Sequence, residues 1–119
     1  MQQALDFLAQ QEGLRFTYQS KGPFGTIWEF EKDGREGAIT LQEEKQMVTL
    51  HSIDIEPQGS GLGAAVIESL RDYCQLENKQ LQITGVMNLD FFARFKWLEW
   101  SEPKQGKTLW TANFSPSGL

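Results

Sequence analysis

The chain has 119 residues, enough for one hydrophobic core, and residues 1–119 read as a single domain. Sixteen acidic residues against eleven basic ones give a formal charge of −5, the wrong balance for holding phosphate backbones by bulk charge, so no nucleic-acid partner is expected. Eight Phe, four Trp and 39% hydrophobic residues exclude wholesale disorder. No apolar run is long enough to cross a bilayer, the first residues lack a signal peptide's basic and apolar regions, and the single Cys74 cannot form an internal disulfide. These features make a cytoplasmic protein without a membrane partner the expectation.

Residues 1–12 read as a short helix with Ala4, Leu5, Phe7 and Leu8 clustered and Gly13 ending it. The period then changes to two: Leu14, Phe16 and Tyr18 alternate with polar residues as one face of a strand. Residues 21–25 break the chain, and a second strand follows over 26–32 with Trp28 and Phe30 on one face and Glu29 and Glu31 on the other. Asp33-Gly34 signals a hairpin because both positions tolerate positive φ, and the return strand covers 36–41. After a polar turn at 42–46, residues 47–55 form a further strand. Val48 and Leu50 share one alternation phase there, and Ile53 and Ile55 the opposite one. A slip at His51-Ser52 implies either an inserted bulge residue or a strand buried on both faces, and periodicity leaves both open.

Pro57 and a glycine-rich segment, Gln58-Gly59-Ser60-Gly61-Leu62-Gly63, lead into a helix over 62–76. Val66, Ile67, Leu70, Tyr73 and Cys74 make its apolar stripe, with Cys74 a small buried hydrophobe. Residues 81–84 form a short strand. Asn88 caps a second, aromatic helix carrying Phe91, Phe92 and Phe95, and strands at 97–100 and 107–114 close the chain before a frayed tail. The order is helix, antiparallel meander, helix, strand, helix, two strands. It predicts an α/β (α+β) domain with a mixed, mainly antiparallel twisted sheet of about six to seven strands flanked by helices.

A strand, a glycine turn and a helix start together make an anion site. The first helical amides have no intrahelical acceptor, the helix dipole is positive there, and glycine lets the backbone curl around an anion. Leu62 points into the core and anchors the helix. The segment ends Gly63-Ala64-Ala65, so it is not a P-loop, which needs Gly-Lys-Ser/Thr. The spacing and the preceding antiparallel strands also depart from the Rossmann fingerprint.

Gln58, Gly61 and Gly63 do match the pattern Arg/Gln-x-x-Gly-x-Gly/Ala of the GNAT superfamily, the acetyl-CoA-dependent N-acetyltransferases, which this segment resembles. The run from Asn88 through Phe91-Phe92-Ala93-Arg94-Phe95-Lys96-Trp97 is similar to the family's second signature, and the resemblance covers about residues 46–114. It implies a GNAT-like acyl-CoA N-acyltransferase fold, acetyl-CoA (coenzyme A) as cofactor, and a primary amine of a small molecule or protein as acceptor. The backbone of Ile53 to Ile55 would pair with the pantetheine arm. The amides of Gln58, Gly59, Ser60, Gly61, Leu62, Gly63 and Ala64 would hold the pyrophosphate. Asn88 and Phe92 would touch the cofactor. A backbone N–H at the bulge would polarise the thioester, and a general base would take the amine's proton. The candidate bases are His51, Asp54 and Glu56.

Three departures accompany the match. Phe92 stands where the family has a proton-donating Tyr, and Lys96 replaces a glycine before Trp97. The chain also has one short helix where the family begins with a strand and two helices that help form the acceptor site. This shortened N-terminal region implies a reduced acceptor pocket or one completed by a second subunit, consistent with a homodimer through the edge strands. A GNAT-like module that binds acyl-CoA or a protein without catalysis is the alternative reading, and an unrelated nucleotide-binding domain is a third.

Overall fold

The computed structural model describes residues 3–56, 61–86, 89–102 and 110–116. Helix α1 (Gln3–Glu12) precedes four antiparallel strands, β1 (Arg15–Gly22), β2 (Gly25–Lys32), β3 (Arg35–Glu43) and β4 (Met47–Glu56). Helix α2 (Leu62–Glu77), β5 (Gln80–Val86), the one-turn α3 (Leu89–Phe92), β6 (Glu99–Ser101) and β7 (Trp110–Phe114) follow. They form one seven-stranded sheet in the order β1-β2-β3-β4-β5-β7-β6. Every neighbouring pair is antiparallel except β4–β5, which is parallel and is crossed over by α2. This is the predicted mixed, mainly antiparallel sheet at the upper end of the expected strand number.

Side chains opposite one another in a ladder share a face, so the register sorts the sheet into two unlike surfaces. One carries Phe30, Ile39, Leu41, Val48, Leu50, Leu81, Ile83 and Ala112, all buried with Ala4, Leu5 and Leu8 of α1 and Val66, Ile67 and Leu70 of α2 in a single core. The other face is polar. Glu29, Ala38 and Asp54 stand in one row across β2–β4, and Glu31, Glu36 and Glu56 in the next. Asp33 and Gly34 make the β2–β3 turn with φ of 50° and 81°, as their sequence predicts.

β1 departs from its expected pattern. Phe16 faces Phe30 but Tyr18 faces Glu29, leaving Thr17 as an inserted residue. Phe16 therefore stays on the core side with Trp28 and Phe30, whereas Tyr18 turns to the polar side and is 62% exposed. The aromatic segment is also less helical than its sequence implies. After α3 the chain continues in i+3 turns, with Phe95 N–H donating to Phe92 C=O and Leu98 N–H to Phe95 C=O, and β6 starts only at Glu99.

A buried polar cluster ties α1 to the rest. The Ala4 amide donates to Glu43 Oε1 (3.0 Å), and Lys79 Nζ lies 2.7 Å from Glu43 Oε2, which also accepts from the Tyr73 hydroxyl. Burial alone would raise the Glu43 carboxyl, but the bonds from Lys79, Tyr73 and the Ala4 amide outweigh it and hold the group below its ordinary value. Burial first, and then the Glu43 carboxylate, push the Tyr73 hydroxyl up; burial pushes the Cys74 thiol up to about 12. No described helix is long and apolar enough to cross a membrane.

Candidate functional site

The centre of the sheet is where its two halves part. β4 and β5 pair only from Met47↔Gln80 to Leu50↔Ile83. Beyond that point β4 runs on to Glu56 paired with β3, and β5 runs on to Val86 beside β7. The ladders change register at the same level. Thr40 faces Ser52 but Leu41 faces Leu50, so His51 is an extra residue on β4. Ile83 faces Ala112 but Val86 faces Trp110, so β5 also carries one residue more than its partner. The slip read from the sequence is therefore a β-bulge at His51. The rival reading holds for the stretch before it, since Val48, Thr49 and Leu50 are all buried, whereas burial alternates from His51 to Glu56. A bulge bends its strand and sharpens the local twist, which accounts for the divergence.

His51 spans the start of the gap. Its Nδ1 lies 3.1 Å from Thr84 Oγ1 on β5, and the Phe24 ring stacks on its imidazole with centroids 5.8 Å apart and planes at 15°. Its Nε2 is shielded from solvent and has no hydrogen-bond partner among the described residues. Ser52 donates to Thr40 Oγ1 on the same polar face. Asp54 and Glu56 lie further along β4, opposite Ala38 and Glu36, and are exposed. Structure thus separates the three candidate bases into one half-buried histidine with a shielded Nε2 and two solvated carboxylates.

Ile53 and Ile55 take the opposite, core-side alternation and are half-buried. A Cβ on Gly63 would lie 3.4 Å from Phe91 Cζ and 3.7 Å from Ile55 Cδ1. The end of β4, the start of α2 and the α3 aromatics therefore meet at Gly63, where a methyl group would be in ordinary contact. Gly61 is the N-cap of α2 at φ 81°, a left-handed conformation that favours glycine, and a Cβ there would meet nothing within 4 Å. Among the described residues no side chain caps this helix end, and an intrahelical bond runs from the Ala65 amide to Gly61 C=O. The amides of Gly63 and Ala64 between them belong to the first turn, whose N–H groups an α-helix leaves without an intrahelical acceptor. Leu62 is buried, as expected of the helix anchor. Gln58, Gly59, Ser60 and Asn88 lie outside the described residues.

Two basic residues join this site that sequence reasoning did not assign to it. A concavity of about 280 Å³ beside Gly61 is lined by Lys32 and Arg35 from the β2–β3 hairpin, with Asp33, Glu12, Leu62 and Ala65. Arg35 Nε is shielded from solvent and has no hydrogen-bond partner among the described residues. The flanking of Asp33-Gly34 by basic residues was visible in the sequence, but the approach of that turn to Gly61 is a product of tertiary structure.

Phe92 is 9% exposed and packs against Phe91 and Phe95 with centroids 4.9 and 6.2 Å away, so the position that resembles the family's tyrosine is filled by a core ring without a hydroxyl. Neither tyrosine replaces it. Tyr73 is bonded to Glu43, and Tyr18 sits on edge strand β1.

No family model and no curated protein matches the chain. Solved structures do. The ribosomal-protein-S18-alanine N-acetyltransferase of Escherichia coli superposes with a TM-score of 0.57 at 18% identity, over 97% of this chain and 90% of that one. The anti-CRISPR protein AcrVA5 gives 0.54 at 16% identity over 75% and 98% of the two chains. A Lactobacillus plantarum protein assigned as an N-acetyltransferase gives 0.53 at 9% identity over 77% and 69%. At such identities the likeness is one of fold. The mixed sheet, its parting at the β4 bulge and the glycine-started helix beside it give this chain the GNAT fold, the fold of the N-acetyltransferases.

Proposed function

We propose that this protein is an acetyl-CoA-dependent N-acetyltransferase that moves an acetyl group onto a primary amine of a small molecule or protein. The observation that carries the reading is the parting of β4 from β5 at His51, with a glycine-started helix beside the open end. The residues fit the cofactor: among the described residues no side chain caps the helix start at Gly61, Lys32 and Arg35 adjoin it beside the carboxylates of Glu12 and Asp33, and a strand edge lies unpaired along the gap.

When bound, acetyl-CoA supplies an activated acetyl thioester, and the remaining tasks fall to the chain. The amides from Gln58 to Ala64 and the α2 dipole hold the pyrophosphate, with Lys32 and Arg35 adding positive charge. The β4 edge from His51 onward offers amides and carbonyls to the pantetheine arm, and Ile53, Ile55 and Phe91 form an apolar wall beside it. Asn88, just ahead of the aromatic segment in sequence, contacts the cofactor in this reading. His51 accepts the amine's proton at Nε2. That role requires the tautomer in which Nδ1–H donates to Thr84 Oγ1 and Nε2 keeps its lone pair. Asp54 and Glu56 are exposed and reach an amine proton only through water. With Phe92 in place of tyrosine, the leaving thiolate takes its proton from solvent.

The test is acetyl-CoA binding by calorimetry, comparing the parent with Gly61→Asp. Aspartate tolerates the left-handed backbone, so the helix start survives while a carboxylate faces the phosphates. Binding by the parent that weakens roughly ten-fold or more in a cooperatively melting Gly61→Asp supports the reading; a repulsion of about 1.4 kcal/mol suffices for that factor. A folded parent that does not bind acetyl-CoA refutes it.

Phe92 favours a second reading, a non-catalytic acyl-CoA-binding or protein-interaction module. Amine-dependent thiol release that is lost in His51→Ala excludes that alternative.

A further inference from the structure

We infer that Phe24 is a gate over His51: its ring shuts the imidazole off from solutes arriving on the polar face of the sheet, and the β1–β2 turn must swing aside before an acceptor reaches Nε2. The acceptor's part in this rests on the proposed acetyl transfer; the shielding does not.

The inference starts from a side chain in an unusual place. Phe24 sits at the tip of the β1–β2 hairpin, just beyond the terminal Gly22↔Gly25 pair, and is 68% exposed. A phenyl ring left so largely in water is held by little burial, and its one ring contact among the described residues is the near-parallel stack on His51. The turn that carries it is flanked by glycines, Gly25 having φ 124°, so the tip is attached through permissive backbone and contributes no side chain to the core. Such tips belong to the low-stability end of a fold and open without global unfolding.

The histidine beneath has the complementary peculiarity. Thr84 occupies Nδ1, Phe24 stacks against the ring in an offset arrangement, and Nε2 is left without solvent and without a partner among the described residues. A buried ring nitrogen with no partner is disfavoured, because the hydrogen bond it made to water is not replaced. The closed arrangement therefore carries a built-in bias towards opening, and the group released is the one the proposed chemistry needs. The position of the turn agrees. Phe24 approaches from the polar face, the side of Ser52 and Thr40, whereas the glycine helix start lies with Ile55 and Phe91 on the core side. The gate is thus on the side of the sheet away from the phosphate site.

His51 is the chain's sole histidine, which makes its accessibility directly measurable. Diethyl pyrocarbonate, a small electrophile that acylates neutral imidazole, is added at fixed pH to the parent, Phe24→Ala and Phe24→Tyr, and the rate at His51 is read by mass spectrometry. If the open state holds about a tenth of the molecules or fewer, Phe24→Ala reacts roughly ten-fold faster or more, while Phe24→Tyr stays close to the parent because the stacked ring is kept. Equal rates for the parent and Phe24→Ala, both cooperatively folded, overturn the gate. Acetyl-CoA affinity is measured on the same proteins. Unchanged affinity in Phe24→Ala supports the placement of the gate away from the phosphate site, and its loss overturns that placement. Failure of all three proteins to bind acetyl-CoA, with the difference in acylation rate intact, refutes the proposed activity and leaves the shielding established.

Discussion

Glu43 shows how one side chain can hold several elements. It accepts from the backbone of α1, from Tyr73 on α2 and from Lys79 at the entry to β5, with side-chain exposures of 9% for Glu43 and 13% for Lys79. A nearly buried carboxylate with three donors is stable only while charged, so Glu43→Gln leaves the Lys79 ammonium without its counter-charge and is expected to cost about 3 kcal/mol in urea unfolding. The pH dependence follows from the same contacts. The folded Glu43 carboxyl titrates below its ordinary 4.5, so its contribution is complete above that value and is lost as pH falls through the lower, folded one. Cys74 and Tyr73 are raised above their ordinary 9.0 and 10.0, so their contributions hold below those values and fade as pH climbs towards the folded ones. Unfolding free energy is expected to be flat between about pH 5 and 9 and to fall on both sides, with the acid limb weakened in Glu43→Gln. An acid limb identical in the two proteins would contradict this account.

Among the elements, the β2–β3–β4 meander carries an electrostatic cost that its sequence does not announce. Each strand taken alone shows ordinary solvent-facing glutamates, but the register sets Glu31, Glu36 and Glu56 directly opposite one another. Like charges opposed in this way are destabilising. Arg15 offsets Glu31 at the edge through an exposed pair of the kind that contributes little. Glu36→Lys places a cation between two carboxylates and is expected to stabilise the protein by roughly 0.5–1 kcal/mol at low ionic strength, a gain that shrinks in about 1 M salt. Destabilisation by this substitution at low salt would contradict the assigned register.

The same elements mark what local sequence reveals. The Asp33-Gly34 turn, the helix starting at Leu62 and the phase slip at His51 were legible because each depends on neighbouring residues. The Thr17 bulge was not. Leu14, Phe16 and Tyr18 alternate cleanly, and only pairing with β2 shows that Tyr18 must turn to face Glu29. Lys32 and Arg35 beside Gly61, and Phe24 over His51, were hidden for the same reason. Residues about 26 or more positions apart meet there because strands of particular length bring their turns to particular places, which no periodicity encodes.

At the level of the whole molecule, four rungs of parallel ladder, Met47↔Gln80 to Leu50↔Ile83, join the β1–β4 meander to the β5–β7–β6 ladder. Val48, Leu50, Leu81 and Ile83 of these rungs lie in the core, whereas β4 beyond His51 borders the gap. Amide hydrogen exchange is expected to be slowest at Leu50, Leu81 and Ile83 and distinctly faster among the amides of residues 52–56 that do not bond to β3. Binding of acetyl-CoA should slow those amides. Uniform protection along β4 in the unliganded protein would show that the strand edge is closed.

The fastening of α1 has a consequence for how the chain is made. Its amide at Ala4 donates to Glu43, its ring at Phe7 rests on Tyr73, and Glu12 accepts from Ser69. During synthesis α1 leaves the ribosome before the elements that hold it, and it is therefore among the last of them to find its seat. The hairpins, whose partners are close in sequence, can form while α1 is still unattached, and α1 locks down only after α2 has been delivered across the sheet.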